Sequence, residues 1–332
     1  MSGFIYYLVT IAIFFCIYAI QCWGLNLQFG VAGILNFTYI TFMAIGAYMA
    51  GVSALGPGNN GLAGKYILGL HLPFPIPTLI GGISAAVLAV LVGVVGLRRL
   101  RSDYLAIVTV SVGQIFWFIS GNVTPLFNGW DGINSIPQPL NSVFHLNNDN
   151  YSWIFLIICI VFAVIGYIVS ERLYHSPYGR VLRAIREDED VAAALGKNVF
   201  AYKMSAFIIG NAFAGVAGAL TIELISAFNP SGFVTGETFI LWAAMLIGGK
   251  GNNKGMILGA FLVPVVFNEI TRFIPQIPSH PQLVDSLRVM VIGLLLILAA
   301  RFRPQGIIPE KKVTFNLPRI LKRGEEDGGR VV

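Results

Sequence analysis

The chain has 332 residues, of which 56% are hydrophobic and only 11% are charged, and its mean hydropathy is +0.74. A soluble globular domain carries about 25% charged residues, and a domain of this length still needs a wetted surface. This composition therefore excludes an ordinary soluble protein and indicates a polytopic membrane protein. The net charge of +6 does not indicate a nucleic-acid-binding protein, because the basic residues concentrate in short loops and the C-terminal tail.

The N-terminal segment MSGFIYYLVTIAIFF lacks the basic start and the small-residue cleavage site of a signal peptide, so we expect a retained first span. A spanning helix needs about 20 mostly apolar residues. Nine segments approach or exceed that length: residues 4–25, 31–55, 76–97, 104–122, 152–170, 203–227, 237–249, 255–275 and 284–302. Because the seventh is short, the sequence predicts an all-α polytopic membrane protein with about 8–10 transmembrane helices.

Basic residues lie in alternate connections between these segments. They occur at residues 98–101, 172–203, 250–254 and 301–330. The intervening loops lie near residues 56–75, 122–151, 228–236 and 275–283, and Lys65 is the single Lys or Arg in them. Since cytoplasmic loops of membrane proteins are enriched in Lys and Arg, this alternation predicts an external N-terminus and a cytoplasmic C-terminus.

The same alternation gives the domain organisation. We expect one transmembrane domain over residues 1–303, with a cytoplasmic loop at about 171–203 and an external loop at about 122–151. Residues 304–332 form a predicted cytoplasmic tail, whose basic residues suit contact with anionic membrane lipid.

A dense block of charge occupies residues 176–196, SPYGRVLRAIREDEDVAAALG. Ser176 followed by Pro177 is a helix-start signal and Gly196 is a helix-stop signal. The pairs Arg183–Glu187 and Arg186–Asp190 are spaced to meet on one helix face. Apolar positions recur at helical spacing: Val181, Leu182, Ile185, Ala192 and Leu195. The block predicts one or two short amphipathic helices at the cytoplasmic surface; a solvated interfacial helix without a partner is the alternative interpretation.

Several segments resemble the LivM-type permease of branched-chain amino acid ABC importers. They are GLNLQFGVAGILNFTYITFMAIGAYMAG at 24–51, RSDYLAIVTVSVGQI at 101–115, the run from SPYGRVLRAIRE to GVAGAL at 176–220, GGKGNNKGMILGA at 248–260 and LRVMVIGLLLILAARFRPQG at 287–306. The loops at 56–75 and 122–151 do not follow the pattern. In this family the loop corresponding to 176–196 is a coupling helix seated in a groove of the ATPase subunit. The resemblance assigns the contact to Arg180, Arg183, Arg186, Glu187, Asp188, Glu189, Asp190 and Gly196.

The resemblance also implies the fold and the partners. It implies an ABC importer permease fold in the inner membrane, a second LivH-type permease, two cytoplasmic ABC ATPase subunits and an extracytoplasmic substrate-binding protein. Whether the second permease is a paralogue or another copy stays open. This chain would bind no cofactor, with ATP and Mg on the ATPase subunits. The implied cargo is leucine, isoleucine or valine, moved by alternating access; urea, short-chain amides or other neutral amino acids are alternatives.

Polar groups inside the apolar segments are candidates for a translocation path. Irregular backbone at membrane depth is tolerated where it is buried or lines a cavity, and intramembrane carboxylates are costly and often functional. On this basis we assign the path to Asn26, Gln28, Gly30, Gly33, Asn36 and Glu223. Glycines in the same segments, such as Gly46 and Gly215, also favour close helix contact. Glu237 and Arg288 lie near span ends, where they can snorkel.

No pattern in the sequence indicates catalysis or a metal site. The GGKGNNKG run differs from a phosphate-binding P-loop, because no hydroxyl residue follows Lys254. Histidines and cysteines lack ligand spacing, and no span combines a nucleophile with a histidine. An ion-coupled secondary transporter is a further alternative, but Glu223 is too solitary for a proton relay.

Overall fold

The computed structural model describes residues 3–57, 65–99, 102–140, 148–267, 269–270 and 283–310. Its helices are α1 (Gly3–Leu25), α2 (Tyr39–Ala54), α3 (Ile76–Arg99), α4 (Ser102–Asn122), α5 (Thr124–Phe127), α6 (Asn148–His175), α7 (Pro177–Glu187), α8 (Glu189–Ala194), α9 (Val199–Ile225), α10 (Thr235–Gly248), α11 (Asn253–Ala260) and α12 (Leu283–Phe302). Parts of four predicted regions lie outside the described residues: the loops at 56–75, 122–151 and 275–283, and the tail beyond 310.

Each of the nine predicted apolar segments contains a helix within its described residues, although residues 32–38 of the segment 31–55 are not helical. Within the part of the chain that the structure describes, six helical stretches are long and apolar enough to cross a membrane: Gly3–Val31, Ile76–Arg98, Tyr104–Asn122, Asn150–His175, Val199–Ile225 and Pro230–Gly248. Tyr39–Ala54 and Asn253–Phe267 are shorter apolar helices. The predicted all-helical, multi-pass architecture is therefore confirmed.

Two helices change their winding at their C-terminal ends. α1 continues as a π-helical segment, Asn26–Val31, and the chain is then non-helical until α2 begins. α11 likewise continues as the π-helical segment Phe261–Phe267, which contains Pro264. Proline lacks the N–H that an α-helical ladder requires, and π-helical turns often occur at functional sites. The predicted span 31–55 is consequently a helix of only 16 residues.

The centre of the molecule is built from α2, α3 and α9, which meet through glycines. A Cβ on Gly46 would overlap the backbone of Gly215, and a Cβ on Gly215 would lie 2.5 Å from the carbonyl oxygen of Gly81. A Cβ on Gly218 would overlap the carbonyl of Met43. These positions have no room for a side chain, so the helices approach to backbone contact. The helix-packing interpretation of Gly46 and Gly215 is confirmed.

Two loops that are both predicted to lie outside the membrane contact one another. Two short strands, β1 (Ile133–Asn134) and β2 (Ala227–Phe228), form an antiparallel pair between the loop after α4 and the loop after α9. Trp117 donates its indole N–H to the carbonyl of Pro230 at 3.0 Å. These contacts join connections that the charge pattern assigns to the outside.

Outward faces of α3 and α6 carry exposed apolar side chains. Ile83, Leu91 and Val95 are exposed on α3, and Ile157 and Val161 are exposed on α6. Faces of this composition suit contact with lipid tails or with apolar faces of another membrane subunit.

Candidate functional site

The charged block forms two helices separated by one residue. Ser176 caps α7, accepting the N–H of Gly179 at 3.3 Å, and Pro177 is its first residue. Asp188 has an extended backbone and caps α8, accepting the N–H groups of Asp190 and Val191 at 3.0 Å each. The predicted start at Ser176 and the prediction of one or two helices are confirmed.

Gly196 follows α8 with a φ of +77°, a left-handed conformation that glycine adopts without strain. α7 is also fastened to α9, because the hydroxyl of Tyr178 lies 2.7 Å from that of Ser205. Burial raises the pKa of Tyr178, so this hydroxyl stays protonated in the contact. The two helices are thus held against the bundle by short-range capping and by a side-chain contact to α9.

The prediction that Arg186 and Asp190 meet on one helix face is wrong, because the helix breaks at Asp188 and the two residues lie on different helices. The guanidinium of Arg186 instead donates to Glu310 Oε2 at 2.9 Å and to the carbonyl oxygen of Gly30.

Arg183 also differs from the expectation. Its guanidinium carbon lies 4.3 Å from the ring centroid of Tyr174, a cation–π contact. The ion pairs found in the described part of the chain do not include the predicted Arg183–Glu187 pair.

The apolar stripe of α7 and α8 is only partly buried. Leu182, Ile185 and Ala192 face inward, with 0 to 3% of their surface exposed. Leu195 of the predicted stripe is 74% exposed and Val191 is 54% exposed, so this end of the stripe is not buried. The remaining predicted contact residues Arg180, Glu187, Asp188, Glu189, Asp190 and Gly196 are exposed. Together they form an outer face with two apolar side chains among charges.

Asn36 is the centre of a buried amide network in the irregular segment before α2. Its Nδ2 donates to Gln28 Oε1 at 2.9 Å and to Asn211 Oδ1 at 3.1 Å, and its Oδ1 accepts the N–H of Thr38 at 3.1 Å. Gln28 donates to the carbonyl of Phe207 at 3.4 Å. All three amide side chains are 0% exposed. The network therefore holds the extension of α1 against α9.

A second buried cluster surrounds Asn26. Its Nδ2 donates to Asn253 Oδ1 at 3.1 Å, and its Oδ1 accepts the N–H of Gly251 at 2.8 Å. Asn253 in turn donates to Glu171 at 2.9 Å, and its carbonyl accepts the indole N–H of Trp23 at 3.0 Å. These bonds join the ends of α1, α6 and α11.

Gly30 and Gly33 lie directly against α7. The carbonyl of Gly30 accepts a hydrogen bond from Arg186, and a Cβ on Gly33 would lie 3.0 Å from Arg186 Cγ. Gly33 has a φ of +73°, so it combines a left-handed backbone with this close approach. The structure thereby brings two sets of predicted residues together at Arg186, one from the charged block and one from the path.

Glu310 was not predicted, yet it anchors this junction. Its Oε1 accepts the hydroxyl of Tyr174 at 3.1 Å, while Oε2 accepts from Arg186. The preceding residues bond to the end of α10, with Ile307 N to Ile247 O at 2.8 Å and Ile308 N to Gly248 O at 3.1 Å. The predicted tail therefore begins with a segment that packs against the bundle up to residue 310.

Glu223 lies apart from the amide network. It is 2% exposed on α9 and accepts the hydroxyl of Thr78 on α3 at 2.7 Å. Its Oε2 has no hydrogen-bond partner within the described residues. The structure therefore does not join Glu223 to the other residues of the predicted path.

Several residues of these clusters escaped the sequence argument. Asn211 carries the same signal as Asn36, because it too is an amide side chain in an apolar span, and that signal was sufficient to identify it. Asn253, Glu171 and Glu310 carried no such signal, because each lies at a helix end or in a loop, where polar residues are ordinary.

The chain is similar to known proteins along almost its whole length. The profile of the family described as "Branched-chain amino acid transport system / permease component" matches residues 7–300. The probable branched-chain amino acid transport permease protein LivM of Methanocaldococcus jannaschii is 31% identical over 96% of this chain and 98% of that protein. LivM of Escherichia coli K12 is 32% identical over 96% of this chain and 74% of that protein.

A LivH permease of Salmonella typhimurium is 24% identical over 89% of this chain and 92% of that protein. The similarity to the LivM proteins is thus higher than to this LivH protein. No solved structure matches the chain.

Proposed function

This chain belongs to the family of permease components of branched-chain amino acid transport systems, and we propose that it is the LivM-type permease of an ATP-driven importer. In this proposal residues 1–303 translocate leucine, isoleucine or valine across the inner membrane. A LivH-type permease completes the membrane part, two cytoplasmic ATPase subunits bind ATP and Mg, and an external binding protein delivers the cargo. The chain itself hydrolyses nothing and binds no cofactor.

The observation that carries this proposal is the position of Arg186 between an exposed helical element and the buried segment that follows α1. α7 and α8 present charges and two apolar side chains outward, while Arg186 on their inner side bonds to the carbonyl of Gly30. An element with this arrangement can receive force from a soluble partner and pass it to the membrane helices.

The outer face of α8 is the proposed ATPase contact. Val191 and Leu195 are four residues apart and exposed, and the exposed carboxylates Glu189 and Asp190 directly precede Val191 in sequence. A small apolar centre with a charged rim is typical of a protein–protein interface. Asp188 has a different role in this proposal, since its carboxylate already caps α8 and fixes the presentation of this face.

Transmission into the membrane follows the bonds from Arg186. Movement of α7 displaces Gly30, which belongs to the π-helical segment that also contains Gln28. Gln28 is bonded through Asn36 to Asn211 of α9, so a shift of the segment reaches the central helices. We propose that alternating access consists of two arrangements of this network, because coupling between distant sites requires an element with two discrete states.

Transport in a reconstituted complex tests the function. The chain, a LivH-type permease and the ATPase subunits would be placed in liposomes, with the binding protein and radiolabelled leucine on the binding-protein side. We expect uptake that requires ATP on the ATPase side and continues when a protonophore removes the proton gradient. Uptake that needs the proton gradient and not ATP would support a secondary transporter instead. Transport of urea but not of leucine would show that the cargo is an amide and not an amino acid.

A further inference from the structure

A cavity of about 450 Å³ opens between α1, α2, α9, α10 and α12, beside the β1–β2 loops. It is separate from the amide network and from α7 and α8. Its volume lies within the range of about 300–1,000 Å³ that is usual for small-molecule sites. Ile225, which is 52% exposed, lies on its lining near the strands.

One part of the lining is apolar and buried. Ile17, Ile40, Met43 and Leu241 contribute to it from α1, α2 and α10, and each is between 1 and 6% exposed. Side chains of this kind accept an aliphatic group, because transferring apolar surface from water to such a wall is favourable.

The other part of the lining carries opposite charges. Glu237 from the first turn of α10 and Arg288 from α12 both line the cavity, and they are close enough to interact electrostatically. The sequence had suggested that these two residues snorkel at span ends, but the cavity offers them a shared polar space.

Gln21 adds an unsatisfied acceptor to the same lining. Its side chain is 1% exposed, and its Oε1 has no hydrogen-bond partner within the described part of the chain. A buried acceptor without a donor is costly, and such atoms are rare unless a water, ion or ligand supplies the missing bond.

We propose that this cavity binds a zwitterionic α-amino acid with an aliphatic side chain. Glu237 and Gln21 Oε1 accept hydrogen bonds from the α-ammonium group, and Arg288 donates to the α-carboxylate. The buried apolar wall receives the side chain. The proposal rests on the amino-acid transport proposed above, and it gives the cargo a site within this chain during passage.

This chemistry discriminates among cargoes. A compound that carries only one of the two charges gains the interaction with Glu237 or with Arg288 but not both, so it binds less favourably than a zwitterion. An uncharged amide such as urea pairs neither group. The cavity therefore favours amino acids over the amides that the sequence left open.

Protection from thiol labelling tests the site in the purified permease complex. Ile225→Cys places a reactive thiol on the lining, and the native Cys16, Cys22 and Cys159 are buried, with the parent chain giving their background. We expect leucine to slow maleimide labelling of I225C several-fold. The analogues 4-methylpentanoate and 3-methylbutylamine, which each lack one charge, should protect weakly. Val123→Cys, an exposed position outside the cavity, should be labelled at the same rate with or without leucine.

Variants of the charged residues complete the test on the I225C background. Glu237→Gln and Arg288→Gln should abolish protection by leucine, Gln21→Leu should weaken it, and Glu237→Asp should retain part of it. An unchanged elution volume on size exclusion would establish that these variants still fold. Protection that is absent, or that persists in both charge variants, would overturn the proposal.

Failure of the site and failure of the proposed function have different signatures. If the reconstituted complex takes up leucine but leucine does not protect I225C from maleimide, the proposed binding site is wrong and the proposed function stands. Protection without uptake of any branched-chain amino acid removes the function and leaves a binding cavity.

Discussion

Arg186 links parts of the chain that are more than 100 residues apart. Its guanidinium reaches Gly30 in the extension of α1 and Glu310 after α12, and only 23% of its side chain is exposed. A planar group with several N–H donors can make both contacts at once, whereas an ammonium group acts as a point charge. The position therefore depends on the shape of arginine as well as on its charge.

Arg186→Lys keeps the positive charge and removes the planar guanidinium with its several N–H donors. We expect ATP-dependent leucine uptake to fall several-fold, while insertion and co-purification with the ATPase subunits stay unchanged. Uptake in proteoliposomes and the ATPase content of the purified complex measure the two effects. The matched control is Arg172→Lys in the last turn of α6, which is exposed and should transport normally. Equal uptake by R186K and the wild type would contradict the coupling role.

Asn36 provides a second residue-scale test. Asn36→Leu is similar in size but leaves Gln28 Oε1 and Asn211 Oδ1 without their donor, at about 1–3 kcal/mol for each buried unsatisfied group. We expect a lower unfolding temperature of the purified complex and lower uptake per folded complex. If the unfolding temperature falls while uptake per folded complex is unchanged, the network is structural and the path assignment of residues 24–36 fails.

At the scale of elements, α8 is a small helix whose proposed ATPase contact lies on its outer side. Its inner residue Ala192 is 3% exposed, whereas Leu195 after its last turn is 74% exposed. This contrast separates the contacts that hold the helix from the contacts that it offers to a partner.

Leu195→Asp should weaken association with the ATPase subunits and leave the permease folded. Adding a charge at the centre of an apolar contact commonly removes much of its affinity. Co-purification at increasing salt measures the effect, with Val123→Asp near the β1–β2 end as the control. Retention of the ATPase subunits by L195D at wild-type levels would show that this face is not the docking surface.

The glycine contacts among α2, α3 and α9 belong to the same scale. Gly46→Val should prevent folding, because its side chain has no space beside Gly215. Gly293→Val on α12 is the matched control, since a Cβ there meets nothing within 4 Å. Size-exclusion profiles of the two variants in detergent compare them, and a monodisperse G46V protein would disprove the close approach.

At the scale of the whole molecule, the connections form two groups. One group contains Arg186, Gly251 and Glu310, which contact one another. The other group contains the β1–β2 pair and Trp130. The first group contains most of the basic loops, so the positive-inside rule predicts that it lies in the cytoplasm.

Cysteine accessibility in whole cells tests this orientation. Trp130→Cys and Leu195→Cys replace side chains that are 46% and 74% exposed. In cells that express this chain without the ATPase subunits, we expect a membrane-impermeant maleimide to label the first in intact cells and the second only after permeabilisation. The cysteine-containing parent chain gives the background, and the reverse pattern would invert the topology and remove α7 and α8 from any ATPase contact.

The sequence by itself determined the apolar segments, the capped helices at 176–196 and the family, because length, periodicity and capping residues act over a few neighbouring positions. It placed Gln28 and Asn36 together for the same reason, whereas Asn26 belongs to a separate cluster in the structure. Only the tertiary structure decided that Arg186 bonds to Gly30 and Glu310 and that Leu195 faces outward. It also brought Gln21, Glu237 and Arg288 to one cavity. Such pairings depend on which helix faces meet, and many arrangements of the same apolar helices would satisfy the local signals equally well.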